Sequence, residues 1–466
     1  LLCSMLGGMK AVTWTQVAQY IVLIVAYLLP IVILSAKKFG IPLPQLTYGQ
    51  AIQEITSLEQ SMVQKGLANA ATLKPHTKPF TTYDPLNYFA LIFCLMVGTA
   101  SLPHILMRYF TTPSVRDARA SVAWSLFFIF LLYFSAPAYA AFSKLEVYTL
   151  INKGTALAEL PQWIYTYGKI GLVKICGVDA KTAQDVIAAC GKIANQGGML
   201  RLQDLSINTD VIVLSTPEIA GMPYVIAGLV AAGGLAAALS TADGLLLAIA
   251  NALSHDVYYK MINPNAPTKT RLIASRVLLM VVAVLAAYTA STRPADILSM
   301  VAWAFSIAAA GIFPALTLGV WWKRANKTGA IVGMLGGFLV CLYYLIGTRY
   351  YAVGFHDMWG WLSSASPAAQ AKFVELKNAW MAASGDAAKA AAYKALDTHA
   401  QGIAGWFGVK NISAALFGLP VGFLGIIVGS LLTPAPSKEV MDMVDATRRP
   451  AGDLIMRDKD AALPSH

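Results

Sequence analysis

Apolar residues in this chain gather in long blocks instead of alternating with polar ones. Eight runs stand out, at residues 12–35, 86–108, 121–142, 217–253, 272–290, 295–322, 329–346 and 412–432. A helix needs about 20 apolar residues to span the roughly 30 Å of hydrocarbon in a bilayer. Runs of this length predict an all-α, polytopic membrane bundle with about eight transmembrane helices. Three long polar connections interrupt the runs, at 36–85, 143–216 and 347–411. Within them, apolar residues at helical spacing predict a short surface helix over 178–195. The Ala-rich stretch 367–400 predicts one or two further helices outside the membrane, with a break near Ser384 and Gly385.

Composition fits this picture. Hydrophobic residues are 57% of the chain and charged residues 13%, against about 25% charged in soluble proteins. The formal charge of +11 does not point to nucleic acid. Lys and Arg flank the spans, and no basic helix with interleaved aromatics occurs. Arg108, Arg116 and Arg119 follow the second run, Lys260, Lys269 and Arg271 the fourth, and Lys323, Arg324 and Lys327 the sixth. Alternating spans put these short loops on one side, which the positive-inside rule makes cytoplasmic. The tail 434–466, with Lys438, Arg448, Arg449, Arg457 and Lys459, falls on the same side. Residues 1–433 then form the transmembrane domain, with the three long connections outside. The chain opens Leu-Leu-Cys, without an initiator Met or a signal peptide, and enters the first run almost at once. This predicts a fragment whose upstream spans are missing. Cys3, Cys94 and Cys341 read as packing residues. Cys176 and Cys190 share one outer connection, where an oxidising exterior permits a disulfide but the sequence does not supply its geometry.

Candidate chemistry lies in the fourth run, GGLAAALSTADGLLLAIANALSHDVYY at 233–259. An Asp at the centre of a spanning helix costs about 2.5–3.5 kcal/mol on insertion scales. Asp243 follows Ser240 and Thr241 by about one turn, making an oxygen-rich patch of the kind that suits hard cations. A cation-coupled carrier is the expectation. The second run contains LMVGTASLPHILMRYF, where Gly98 and Pro103 interrupt the helix. Pro removes a backbone donor and clashes with the preceding turn. Unwound backbone at membrane depth lines a cavity or is buried in protein, and the amide end of a half-helix attracts anions. Gly98, Thr99, Ala100 and Ser101 are the candidate substrate segment. His104 either faces the same cavity or packs. In the sixth run Trp303 and Ser306 lie one turn apart and are further candidates. Pro314 is expected to bend that run, Asp296 to cap it, and Trp321 and Trp322 to anchor it at the interface.

Four motifs carry a resemblance: GGMKAVTWTQVAQ at 7–19, GTASLPHILMRYF at 98–110, the Ser240 and Thr241 pair with SHDVY at 254–258, and WWKRANKTGAIVGM at 321–334. Together they resemble the sodium:solute symporter family, and the 98–110 motif is most similar to its acetate and monocarboxylate permease branch. The resemblance implies a LeuT-type fold of two inverted five-helix repeats. The run at 12–35 resembles the last helix of the first repeat, so the second repeat is complete and the first mostly missing. It implies a sodium site built by Ser240, Thr241 and the Ala237 carbonyl with carbonyls of an absent helix. On that expectation the chain does not transport alone, whereas its full-length parent does.

The chain departs from the family at one position: many members read Trp-Thr-Asp where this one reads Trp14-Thr15-Gln16. Asp243 stands where those members carry Ser. Asp243 with Gln16 forms a second cation site, or Asp243 carries a proton, or it is a buried carboxylate held by hydrogen bonds or a base. The implied function is sodium-coupled symport of a small organic anion, an acetate-like monocarboxylate, across a bacterial inner (plasma) membrane. The partners implied are that anion, the sodium ion, the lipid bilayer and a small membrane subunit. Sodium is the coupling ion and no cofactor is called for. The alternatives are a proton-coupled carrier of a similar solute and a transporter-like membrane sensor without transport. The six histidines are scattered and supply no triad or metal cluster, which argues against an enzyme. A channel fits broken-helix ligand clusters less well than a carrier.

Overall fold

The computed structural model describes residues 2–191 and 198–448. The Cys3 side chain, residues 192–197 of the predicted surface helix, and Arg449, Arg457 and Lys459 lie outside the described residues. Every apolar run is helical: α1 (Leu2–Phe39), α2 (Pro85–Ser101), α3 (Val115–Asn152), α4 (Tyr224–Asn251), α5 (Thr268–Ser291), α6 (Ile297–Gly311), α7 (Phe313–Trp321), α8 (Lys327–Tyr350) and α9 (Ala415–Leu432). Seven stretches among the described residues are long and apolar enough to cross a membrane, α6 with α7 counting as one. The pair Pro85–Ser101 and Pro103–Tyr109, bent by 45°, supplies an eighth. The protein is therefore a polytopic helical membrane bundle.

Two expected boundaries move. The run at 217–253 is not one helix: residues Ile212–Ile219 form a separate short helix, and α4 starts at Tyr224. Gly221 adopts a left-handed φ of 62° between them. Pro223, which has no N–H to continue a helix, is extended with ψ 144°. The sixth run also splits, at Ile312, into α6 and α7. Pro314 cannot donate to the Ala310 carbonyl, so the ladder opens just ahead of it. Asp296 caps α6 as expected, accepting from the Ser299 N–H at 3.0 Å.

The chain forms two compact units. The first comprises Leu1–Thr81 and Asp117–Thr292. In it α1 and α4 pack antiparallel, with Val12 beside Leu247 and Ala250 at one end and Ala26 against Gly233 further along. Helix α3 has 38 residues, or roughly 57 Å at 1.5 Å per residue, which exceeds the bilayer. Its first part exposes Trp124, Phe127, Phe130 and Tyr133, as a lipid-facing surface does. Its last part, from Ala138 to Ile151, is buried in a layer beyond the membrane. That layer adds the amphipathic helix Pro44–Gln64, the helix Gln162–Gly168 and an antiparallel sheet of three strands, ordered Val178–Asp179, Val173–Ile175, Leu205–Ile207. Ile55, Met62, Leu145, Trp163 and Ile175 form its core. The helix expected at 178–195 is the shorter Ala183–Cys190, because Val178 and Asp179 join the sheet. Cys176 and Cys190 are joined in a disulfide that ties this helix to the sheet.

The second unit comprises Thr82–Arg116 and Arg293–His466. Its tightest contact is α8 on α9. Gly337 lies against the Gly418 carbonyl and Gly425 against the backbone of Gly333, a spacing no larger side chain permits. Beyond the end of α8 stand the helices Ala352–Trp359, Pro367–Ala382 and Asp386–Ile403. The break expected near Ser384 and Gly385 separates the last two, with Gly385 at φ 90°. Tyr344 anchors this region among Phe355, Trp406 and Phe417, with ring centroids 5.9, 5.1 and 4.7 Å away. Cys94 and Cys341 are buried, as packing residues should be.

Candidate functional site

The oxygen-rich patch of the first unit sits on α4. Ser240 Oγ donates to the Ala237 carbonyl at 2.9 Å, and Thr241 Oγ1 donates to the same carbonyl at 3.3 Å. Such back-bonds to the preceding turn are the usual resting state of helical hydroxyls. Here they gather three oxygens around one point, because residues three and four apart share a helix face. Hard cations such as calcium take about six or more oxygens, so three make part of a coordination shell. Asp243 lies on the next turn and is 7% exposed.

Gln16 on α1 reaches this turn. Its Nε2 donates to the Ser240 carbonyl at 2.5 Å, so α1 and α4 are hydrogen-bonded beside Asp243. The expectation joined Asp243 and Gln16 in a second cation site, and the structure brings Gln16 to the backbone of the same turn of α4. Val12, Leu247 and Ala250 below fix the register of the two helices. A cavity of about 340 Å³ ends at Ala237, but Leu23, Tyr27, Leu132, Val213 and Val230 make its walls apolar. Among its lining residues no side chain carries a positive charge to hold an anion.

In the second unit, α2 stops at Ser101 because Pro103 cannot bond the Thr99 carbonyl. Leu102 is extended, with φ −69° and ψ 119°. Gly98 is pressed on the Phe305 carbonyl of α6. Ser101 is fully buried, its hydroxyl on the Val97 and Gly98 carbonyls at 3.2 and 3.0 Å. Thr99 and Ala100 are exposed, and Thr99 Oγ1 bonds the Leu95 carbonyl at 2.7 Å. The open part of the broken helix is thus residues 99 and 100, while Gly98 and Ser101 shape it. His104 keeps Nδ1 buried without a hydrogen bond.

Ser306, a candidate for substrate contact, is fully buried, and its hydroxyl donates to the Ile412 carbonyl at 2.9 Å. It fastens α6 to the turn that starts α9. Trp303 is half-buried, with an indole Nε1–H that meets no acceptor. The Arg349 guanidinium lies 5.8 Å from its ring centre. Arg349 closes α8 and reads in the sequence as one more flanking charge, so nothing in the residue pattern singled it out.

A membrane-spanning helical bundle with an interrupted helix and a hydroxyl–carbonyl cluster on another span is the architecture of a secondary carrier. The sequence profile of the sodium:solute symporter family matches residues 1–148 and 207–337, and the chain belongs to that family. The unmatched stretch between them, 149–206, carries both disulfide cysteines and most of the small sheet. An uncharacterized symporter of Cupriavidus necator is 35% identical over 96% of this chain and 70% of that protein. A monocarboxylic acid transporter of Corynebacterium glutamicum is 25% identical, covering 72% of the chain and 52% of that protein. An uncharacterized symporter of Bacillus subtilis is 28% identical, covering 72% and 53%. The chain thus spans about half the length of the last two. The family is one of transporters, not enzymes, it couples solute movement to sodium, and its members are multi-pass proteins of the plasma membrane.

Proposed function

We propose that this protein is a sodium-coupled symporter for a small organic anion of the acetate-like monocarboxylate class. The observation that carries the cation side is the Ala237 carbonyl with the Ser240 and Thr241 hydroxyls at 2.9 and 3.3 Å, on a helix of membrane length. The anion side rests on the interrupted helix around Gly98, Thr99, Ala100 and Ser101, with Trp303 as a further candidate, and on the monocarboxylic acid transporter among the relatives. In this reading the connections 36–85, 143–216 and 347–411 face outward and the tail 434–466 faces the cytoplasm. The acetate-like branch suggests a small membrane subunit as an additional partner.

A buried Asp243 favours a second reading, in which a proton or a further cation moves with the solute. One sodium ion with one monocarboxylate is electroneutral and gains nothing from the membrane potential. One further cation adds about 2.3 kcal/mol per 100 mV, roughly fifty-fold in accumulation at about 1.4 kcal/mol per tenfold. The test is uptake of labelled carboxylates by the natural protein in liposomes, with a sodium or a proton gradient as the only drive. Replacing Ser240 and Thr241 together by Ala abolishes sodium-driven accumulation on this proposal. Undiminished accumulation in that variant ends it.

A further inference from the structure

The second unit holds a polar cavity of about 460 Å³ at the end of α8, distinct in position from the break at Leu102. Its walls include Arg349, Lys410, Asn87, Ser364 and Gln401, with one carboxylate, Asp84. Arg349 forms no ion pair among the described residues. Nη1 donates to Gln401 Oε1 at 3.3 Å and Nη2 to the Pro294 carbonyl at 3.4 Å, both long. A guanidinium presents five donors in a fixed fork that matches a carboxylate. Two carboxylates share this region: Asp84 is part of the cavity wall, and Asp296 lies within electrostatic reach of Arg349. Asp84 accepts from the Asn87 N–H and Nδ2 at 3.1 and 2.7 Å, and Asp296 is held by Ser299 at 3.0 and 2.8 Å. Asp397, outside the cavity wall, accepts from Gln401 at 2.9 Å through Oδ2, while its Oδ1 is buried without a hydrogen bond among the described residues. Lys410 adds a second positive charge, with its ammonium over the Tyr83 ring at 4.3 Å. On the α6 side of Arg349, the Trp303 indole N–H is buried and without an acceptor.

We propose that this cavity is a carboxylate-binding vestibule, with Arg349 as the group that selects an organic anion and Lys410 as the second positive charge in its wall. The proposal rests on the symport reading for the identity of the anion. It adds a residue and a place that reading does not contain. Charge-assisted bonds of a guanidinium to a carboxylate are among the stronger polar contacts in proteins, and Arg349 makes no direct ion pair among the described residues. Asn87, whose amide holds the Gly408 carbonyl at 2.8 Å and the Lys410 N–H at 2.7 Å, keeps the cavity wall in shape. It is a positioning residue.

Two measurements test this on the natural protein in liposomes. The first is acetate uptake under a sodium gradient. Arg349→Gln raises the KM for acetate about tenfold or more, a loss of about 1.4 kcal/mol per tenfold, with little change in maximal rate. Arg349→Lys, which keeps the charge and loses the fork, lies between. The second measurement does not need transport. With Cys3 replaced by Ser, Ser364→Cys is labelled by an anionic and by a cationic thiosulfonate, with and without acetate. The anionic reagent reacts faster, acetate protects, and Arg349→Gln removes both effects. An unchanged KM together with equal labelling rates and no protection overturns the proposal. If the natural protein accumulates no carboxylate yet acetate still protects Ser364→Cys, the symport reading falls and the vestibule stands. Loss of the labelling bias in Arg349→Gln but not in Arg349→Lys separates lost charge from a misfolded variant.

Discussion

Gly98 gives the sharpest test of how α2 and α6 are fitted together. A Cβ at this position would lie 2.6 Å from the Phe305 carbonyl oxygen, 2.7 Å from Phe305 Cβ and 2.9 Å from its carbonyl carbon. Two of these atoms are backbone, so no rotamer change relieves the clash and the helices must separate. Overpacking of this kind costs about 1–3 kcal/mol. Against it stands the gain of about 1 kcal/mol for Ala over Gly inside a helix. Gly319 on α7 isolates that gain, because a Cβ there meets nothing within 4 Å. Gly98→Ala is therefore less stable than Gly319→Ala by about 1–3 kcal/mol, the overpacking term alone. For a unit of this size that is roughly 2–4 °C per kcal/mol in melting temperature. The assay is thermal unfolding of the two purified variants in the same detergent. Carboxylate uptake is measured in parallel, since separation moves Thr99 and Ala100 relative to α6 and weakens apparent substrate affinity. If the two variants melt together, the close approach at Phe305 is not what holds α2, and the argument is refuted.

Glu59 is 4% exposed and accepts from Lys144 Nζ at 3.2 Å and the His76 N–H at 3.1 Å. Removing one partner of a buried pair costs about 3–5 kcal/mol, and the partial exposure of Lys144 reduces this to roughly 1–3 kcal/mol. Glu59→Gln should therefore speed hydrogen exchange in the helix Pro44–Gln64, with Glu59→Gln and Lys144→Met together milder than Glu59→Gln alone. His356 packs on Phe373 at 4.3 Å, and burial lowers its pKa from 6.5, with Asp357 opposing and His399 and Lys377 adding to the shift. A histidine held neutral when folded contributes stability above its unfolded pKa that is lost as pH falls. Acidification below about 6.5 should thus raise hydrogen exchange in the helices Ala352–Trp359 and Pro367–Ala382, and His356→Leu should flatten the response. Asp243→Asn should abolish the response of uptake to an imposed membrane potential if its carboxylate carries a second cation or a proton. An unchanged response assigns Asp243 a hydrogen-bonding role only.

Run length made the spanning helices legible, because a bilayer sets one requirement that local sequence alone meets. Proline made the breaks at Leu102 and Ile312 legible for a similar reason: a missing N–H acts on its own turn. The helix Pro44–Gln64 was present in the sequence as Ala51, Ile55 and Met62 at helical spacing, yet it was passed over as part of a polar connection. The sheet was not legible. Strands of two or three residues are too short to show a period of two. Spacing left Cys176 and Cys190 open, and their pairing follows only once Val173–Ile175 sits between its two partner strands. At the candidate site the same division holds. Residues 237–241 are visible because their oxygens lie within one turn, a local relation. The surroundings of Ser306 and Arg349 are not legible in the sequence because each bonds or packs on a residue remote along the chain, Ile412 for one and Trp303 with Pro294 for the other. A hydroxyl at membrane depth reads as a ligand until a distant carbonyl claims it. A terminal arginine reads as a topological flank until a distant indole shows that it has been brought inside.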